Sequence, residues 1–228
     1  MSSLLTLGFK GDLGQTHPCS FKVFGNLLDK RSSGAHLNER MAPPDDFSQC
    51  VRSCTDRLAA AGVDALGALF DLTSHRLVRF SVTLTRNQHD AEDAVQACLV
   101  KVAGRPMLLA AADSPWAYLL QMVRNESLAI IRRKRRAGVV SSLTDLVTRR
   151  RVDELEQEET HRAVWVAIRS LPQEQAEVVV LKIWEAMTFA EIAQILEASP
   201  NTVASRYQYA MSKLAAKLTK ARQEARHA

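Results

Sequence analysis

The chain has 228 residues, of which 46% are hydrophobic and 24% charged, and its formal net charge is +5. This balance supports a globular core, and no apolar run approaches the 18 residues of a membrane-spanning helix. Four cysteines in a chain this long do not form the disulfide framework of a small secreted protein, and the start lacks a signal-peptide pattern, so a cytoplasmic protein without membrane insertion is expected.

The sequence favours helices over strands, since it contains no Asn-Gly or Asp-Gly pair that would close a tight hairpin. Residues 1–56 are rich in Gly, Ser, Pro, Asn and Asp and show no sustained period, which predicts a disordered N-terminal extension. From residue 57 the apolar residues recur three and four positions apart, the spacing of amphipathic helices. Asn87 is predicted to end the second of these segments.

Residues 89–103 predict an amphipathic helix, with apolar positions on one face and acidic and glutamine side chains on the other. The buried face is predicted to hold Ala91, Ala94, Val95, Cys98 and Val102, and the exposed face Glu92, Asp93 and Gln96. Residues 104–114 are predicted to be a loop, because Ser114 followed by Pro115 is the pattern that starts a new helix.

The helix that begins at Pro115 carries an apolar stripe and a strongly basic end. Residues 124–136 contain six basic groups and one acid, and Trp116 lies on the apolar stripe, so it is predicted to belong to the core. A linker follows, with five acids at its end. The predicted organisation is therefore a first domain at 57–136, a linker at 137–160, a second domain at 161–220 and a basic tail at 221–228.

The second domain predicts four helices, of which the last two are joined by about three residues. Thr188 and Glu191 form a capping-box pattern, and Ser199 followed by Pro200 starts the last helix. Two helices joined this tightly, with the second basic, indicate a DNA-binding helix-turn-helix, although an ordinary helical hairpin with a polar face has the same outline. Arg206 suits a guanine edge, and Thr202, Ser205 and Lys213 suit phosphates.

Two stretches carry a family resemblance. The segments FDLTSHRLVRFSVTLTRNQHDAEDAVQACLVKVA and SPWAYLLQMVRNESLAIIRRKRR precede LPQEQAEVVVLKIWEAMTFAEIAQILEASPNTVASRYQYAMSKL. In this order they resemble regions 2 and 4 of bacterial RNA polymerase sigma factors, in the extracytoplasmic-function group of the sigma-70 family. The resemblance implies an all-α fold of two small helical domains joined by a linker. It also implies a protein that directs core RNA polymerase to specific promoters and assists their melting.

The resemblance also implies three sets of functional residues. Asp90, Glu92, Asp93 and Gln96 would dock on the β′ subunit of core polymerase. The β subunit is expected to be bound as well. The basic helix would contact the −10 element through Arg124, Asn125, Arg132, Arg133, Arg135 and Arg136. The last helix would contact the −35 element through Ser199, Asn201, Thr202, Ser205, Arg206, Tyr209 and Lys213. The base pocket is expected in loop 104–114, and an anti-sigma factor is expected as a further partner.

The chain departs from the family pattern at several positions. Ala97, Cys98 and Leu99 stand where the family often has a phenylalanine or leucine with further acids, and Ala204 and Tyr209 stand at positions that are often basic. Fewer phosphate contacts predict weaker or differently directed −35 binding.

No catalytic motif is found: the sequence has no Gly-rich phosphate loop, nucleophile elbow or His-Glu-x-x-His pair. Cys50 and Cys54 with His36 lack a fourth ligand, so neither a metal nor a cofactor is expected. Two alternatives to the sigma-factor interpretation remain. One is a stand-alone helix-turn-helix regulator, and the other is a protein-interaction adaptor that does not support transcription.

Overall fold

A computed structural model describes residues 45–137 and 159–227. Within these ranges it contains helices and no strand, which confirms the all-α prediction. The first range forms α1 (Asp45–Ala61), a 3-10 turn (Gly62–Ala65), α2 (Leu66–Thr85), α3 (Gln88–Gly104), α4 (Pro106–Ala110) and α5 (Pro115–Arg136). The second forms α6 (Glu159–Arg169), α7 (Gln173–Ile183), α8 (Phe189–Leu196) and α9 (Pro200–His227). None of these helices is long and apolar enough to cross a membrane.

Helices α2, α3 and α5 pack on one another and form the centre of the first bundle. Phe80, Leu119 and Leu120 are fully buried there, and burying each such side chain contributes about 1.5–3 kcal/mol. A polar contact at the centre joins the hydroxyl groups of Ser81 and Ser127 at 2.7 Å, and Ser127 also donates to the Val123 carbonyl at 2.8 Å, so both hydroxyls are satisfied. Trp116 is 3% exposed, as its place on the apolar stripe predicted.

The N-terminal boundary corrects the sequence prediction. Residues 45–56 were expected to belong to a disordered extension, whereas they lie in α1, which packs on α2, α4 and α5. Val51, Thr55 and Leu58 are fully buried, at spacings of four and three residues that place them on one helix face. This spacing of Val51, Thr55 and Leu58 is the pattern from which the helix could have been predicted. The polar residues between the three positions made the pattern hard to recognise. Residues 1–44 lie outside the described ranges.

The joins between helices also differ from expectation in two places. Loop 104–114 contains the short helix α4, whose Leu109 is buried. Helix α2 ends at Thr85, and Arg86 takes the left-handed conformation that ends it, with φ 55°. Asn87 starts α3 instead of ending α2, because its side chain accepts a hydrogen bond from the backbone N–H of Asp90 at 3.1 Å.

The second bundle contains the four helices that the sequence predicted, and aromatic contacts fix their packing. Trp165 of α6 and Trp184, at the end of α7, have ring centroids 4.9 Å apart. The ring centroids of Phe189 in α8 and Tyr207 in α9 are 5.6 Å apart. Helix α9 continues to His227, so the predicted basic tail at 221–228 is helical through that residue. The linker between the bundles, 138–158, lies outside the described ranges.

The two bundles pack against each other. Helix α2 lies against α7, and α5 lies against α8. The buried apolar side chains form one continuous cluster with members from both bundles. Ion pairs also cross this contact, among them Arg124 of α5 with Glu177 of α7.

Cys98 gives a chemical test of this packing. Burial raises the pKa of its thiol to about 12, with a smaller contribution from the nearby Glu126 carboxylate. The thiolate is the reactive form, so Cys98 in the folded protein should resist iodoacetamide between pH 7 and pH 9. The exposed Cys50 should be alkylated under the same conditions. Peptide mass spectrometry measures both sites, and equal labelling of the two cysteines would contradict the packing.

Candidate polymerase-binding groove and nucleic-acid interface

A groove of about 560 Å³ runs between α3 and α5. One wall carries Asp93 and Gln96, which are both exposed, and the other carries Arg133 and Arg136. The apolar side chain of Val100, 71% exposed, lies at the α3 side. A rigid groove with charges of both signs and an exposed apolar group suits a protein partner, because charge complementarity selects the partner while apolar contact adds affinity.

The four predicted docking residues divide into two kinds. Glu92, Asp93 and Gln96 are exposed on α3, as predicted. Asp90 is 7% exposed, and its carboxylate lies 2.7 Å from the Nζ of Lys134 on α5. Because this ion pair ties the first turn of α3 to the end of α5, Asp90 holds the groove together and is not part of its exposed wall. This corrects the expectation that all four share one docking surface.

The six predicted −10 residues fall into three groups on α5. Arg133 and Arg136 line the groove. Asn125, Arg132 and Arg135 are exposed and do not line it. Arg124 is only 18% exposed, and its Nε donates to Glu177 of the second bundle at 2.8 Å. These side chains of α5 are close in sequence, but they therefore lie in three different environments.

The segment expected to hold the −10 base pocket presents an apolar surface. Met107 and Leu108 of α4 are 64% and 53% exposed, among the most exposed large apolar side chains of the described residues. Arg52 of α1 holds the end of this segment by donating to the carbonyl groups of Ala110 and Asp113. The base pocket itself stays a prediction.

Helices α8 and α9 have the geometry of a helix-turn-helix. The predicted capping box is present: the Thr188 N–H donates to the Glu191 carboxylate at 2.7 Å, and the Glu191 N–H donates to Thr188 Oγ1 at 3.2 Å. The turn at 197–199 is closed by Glu197 in the left-handed region, with φ 53°, and by a hydrogen bond from the Ala198 N–H to the Ala193 carbonyl at 3.0 Å.

The start of α9 is open to solvent. Ser199 Oγ accepts the Thr202 N–H at 3.1 Å, so the predicted N-cap is confirmed. Val203, Ala210 and Leu214 are fully buried and hold α9 on the second bundle. The opposite face is exposed and carries Asn201, Thr202, Ser205, Tyr209 and Lys213.

Two of the −35 candidates have partners on α7. Arg206 pairs with Glu174 at 2.6 Å, and Lys213 Nζ donates to Gln175 Oε1 at 3.1 Å. Glu174 is 66% exposed, and an ion pair this open to water contributes little stability, so Arg206 is readily available to another anion. Tyr209 is 66% exposed, whereas burial against the second bundle raises the pKa of Tyr207. Tyr209 is thus available to a ligand, whereas Tyr207 packs against the core.

Two protein-family models match this chain, one in each bundle. Residues 69–137 match the model described as Sigma-70 region 2, and residues 161–214 match Sigma-70, region 4. Together the two matches cover just over half of the chain. The chain belongs to the sigma-70 family. Its organisation, region 2 followed directly by region 4, is that of the extracytoplasmic-function group. Its function is therefore promoter-directed transcription initiation.

Two of the solved structures that share the fold are complexes. One is the sigma factor RpoE in complex with the anti-sigma factor NepR from Bartonella quintana, with a TM-score of 0.54 and 20% identity, over 66% of this chain and 94% of that chain. The other is CnrH in complex with the cytosolic domain of CnrY, with a TM-score of 0.53 and 21% identity, over 75% of this chain and 98% of that chain. Comparison with curated proteins gives no significant match.

The N-cap of α9 gives a test of region 4. Replacing Ser199 by alanine leaves the Thr202 N–H without its acceptor, which should lower the free energy of unfolding by about 1 kcal/mol. Ser212→Ala, at an exposed position inside the same helix, should change it by less than about 0.5 kcal/mol. Urea denaturation followed by circular dichroism measures both variants. Equal effects would show that the cap does not stabilise the helix.

Proposed function

We propose that this sigma factor docks on the β′ subunit through the α3–α5 groove, contacts the melted −10 strand with the end of α5, and contacts the −35 duplex with the start of α9. The β subunit is the expected second contact on core polymerase. The protein acts in the cytoplasm, where the polymerase is, and it carries out no catalysis of its own.

The observation that carries this proposal is the division of charged side chains between the two sides of α5. Arg133 and Arg136 face α3 across the groove, while Arg132 and Arg135 lie outside it. One rigid helix can therefore contact a protein on one side and single-stranded phosphates on the other. Exposed arginines on a helix are suited to phosphates because they neutralise backbone charge without requiring a particular base.

The −35 contact rests on the open N-terminus of α9. A helix N-terminus carries a partial positive charge, and the exposed hydroxyl groups of Thr202 and Ser205 lie in its first turns. Arg206 lies one turn further and can turn from Glu174 to a guanine edge or a phosphate. Tyr209 adds an exposed aromatic ring for apolar contact with a thymine methyl group.

An anti-sigma factor is a proposed third partner. One solved structure that shares this fold is a complex with an anti-sigma factor, NepR, and another is a complex with the cytosolic domain of CnrY. The exposed face of α3 and the exposed start of α9 are the surfaces that an inhibitor would need to cover in order to block both activities.

Reconstitution with core RNA polymerase tests the function. The purified chain should co-elute with core polymerase in gel filtration, and the complex should give run-off transcripts from a subset of a genomic promoter library. Binding of duplex promoter DNA without core binding would instead support a stand-alone regulator. Core binding without transcripts from any promoter would support an adaptor.

A further inference from the structure

One arginine of α1 holds the segment 105–114, which joins α3 to α5 and contains α4. Arg52 donates from Nη1 to the Ala110 carbonyl at 3.3 Å and from Nη2 to the Asp113 carbonyl. Ala110 is the last residue of α4, and Asp113 lies two residues before α5. A carbonyl at the end of a helix has no partner within the helix, so the guanidinium supplies a donor from outside. One side chain thus binds both ends of the turn between α4 and α5.

Helix α4 needs external support because it is short. It has five residues, Pro106–Ala110, and a helix of this length is not stable by itself, since nucleation costs more than its few hydrogen bonds return. Contacts from outside hold it: Leu109 is buried in the bundle, with 1% exposed, and Arg52 binds the carbonyl at its C-terminal end. The position of α4 is therefore set by the bundle and by α1.

In this position α4 presents two neighbouring apolar side chains to solvent. Met107 and Leu108 are 64% and 53% exposed, and the exposed Arg105 stands just before α4. An apolar surface beside a cation suits an unstacked base and its phosphate, because the base buries its faces while the phosphate binds the charge. Methionine adapts its shape to a ligand, and an aliphatic contact with the C5-methyl group favours thymine over bases that lack it.

Helix α1 is itself fixed in place, although it lies outside the part of the chain that the family model covers. The region 2 match begins at residue 69, whereas α1 spans Asp45–Ala61. Near the start of α1, the ring of Phe47 packs edge-on against Trp116 of α5, with centroids 5.0 Å apart. Helix α1 therefore contacts both the start of α5 and the segment before it, which gives Arg52 a defined position from which to act.

We propose that Arg52 is a positioning residue for promoter recognition. It holds the segment 105–114 in the conformation in which Met107 and Leu108 contact one unstacked base of the melted −10 strand, and that base is thymine. Arg52 itself does not touch the DNA. The inference rests on the proposed function, in which region 2 contacts the melted strand, and it deepens that function by giving α1 a part in the choice of base.

Binding of single strands by the holoenzyme, reconstituted from core polymerase and the full chain, tests this role. The probes are two fluorescein-labelled 12-nucleotide strands, oligo-dT and oligo-deoxyuridine, which differ only in the C5-methyl groups. Burial of one methyl group corresponds to about fourfold in affinity, so the wild-type holoenzyme should prefer oligo-dT by about this factor. Core polymerase alone gives the background.

Arg52→Ala should abolish the preference for oligo-dT while core binding is unchanged. Arg52→Lys should keep about half of the preference, because an ammonium group donates to the carbonyls without the fixed fork of a guanidinium, and it carries the test if Arg52→Ala does not fold. Arg57→Ala, which removes an exposed arginine of the same helix, is the matched control and should keep the wild-type preference.

A double-mutant cycle separates positioning from a general stabilising role. The variant Met107→Ala with Leu108→Ala should lose the preference by itself, and adding Arg52→Ala should change it no further. If Arg52 only stabilised the fold, Arg52→Ala would lower the urea midpoint and weaken the binding of both strands equally. A wild-type preference retained in folded Arg52→Ala would overturn the proposal.

Failure of the proposed function would appear differently, as absence of run-off transcripts with the wild-type chain. A wild-type holoenzyme that transcribes but binds the two strands equally would overturn this inference and leave the proposed function standing.

Discussion

Asp93→Arg is expected to abolish stable binding to core polymerase, with a loss of affinity of at least about 100-fold, which corresponds to about 2.7 kcal/mol. Asp93 lies on the α3 wall of the groove, across from Arg133 and Arg136. An arginine there would make the groove basic on both walls, and a partner that complements an acidic wall would meet like charge. The side chain is exposed, so the bundle should remain folded.

The measurement is gel filtration or fluorescence titration with core polymerase, beside circular dichroism of the free variant. Asp71→Arg is the matched control, because it reverses the same charge at an exposed position of α2 outside the groove. It should bind core polymerase as the wild type does. If Asp71→Arg weakens binding as much as Asp93→Arg, the effect comes from net charge and the groove is not the docking surface.

The double variant Arg132→Ala with Arg135→Ala should lose promoter melting while it keeps core binding. Both side chains are exposed on α5 and lie outside the groove. Each contact with a single-strand phosphate contributes about 0.7 to the slope of log affinity against log salt concentration, so removal of two should lower the magnitude of the slope by about 1.4. Oligo-dT binding at several salt concentrations measures the slope, and permanganate footprinting on a reconstituted promoter measures melting.

Arg57→Ala removes an exposed arginine of α1, far along the chain from the basic end of α5, and should change neither slope nor melting. A double variant that loses core binding together with DNA binding would contradict the division of α5 into two sides. A slope that stays at the wild-type value would show that these arginines do not contact phosphates.

Periodicity predicted most of the helices, because amphipathic faces and caps are local properties of the chain. The faces of α3, the core position of Trp116, the N-caps at Ser114 and Ser199 and the capping box at Thr188 all follow from residues within two turns of one another. The exposed residues at the start of α9 were predictable for the same reason, since the buried stripe of Val203, Ala210 and Leu214 fixes the opposite face.

The errors have a common cause in contacts between distant segments. Helix α1 contains buried residues at helical spacing, but its polar composition outweighed that signal, and only packing on α2, α4 and α5 makes the burial evident. Asp90 has the acidic character of its neighbours on α3. It lies off the docking surface because it pairs with Lys134, which is 44 residues away in the chain.

The class of the protein was predictable from the amino-acid sequence: two all-helical segments, a helix-turn-helix with its caps, and a basic helix beside an acidic one. These depend on local spacing and on residue type, which are complete in the sequence. The partner of each charged side chain became evident from the folded structure. It assigned Arg133 and Arg136 to the groove, and it assigned Arg124 to Glu177 and Arg76 and Arg79 to Glu185. A charge acquires a role from the groups within a few ångström of it, and in a folded chain those groups come from segments that the sequence keeps up to 109 residues apart.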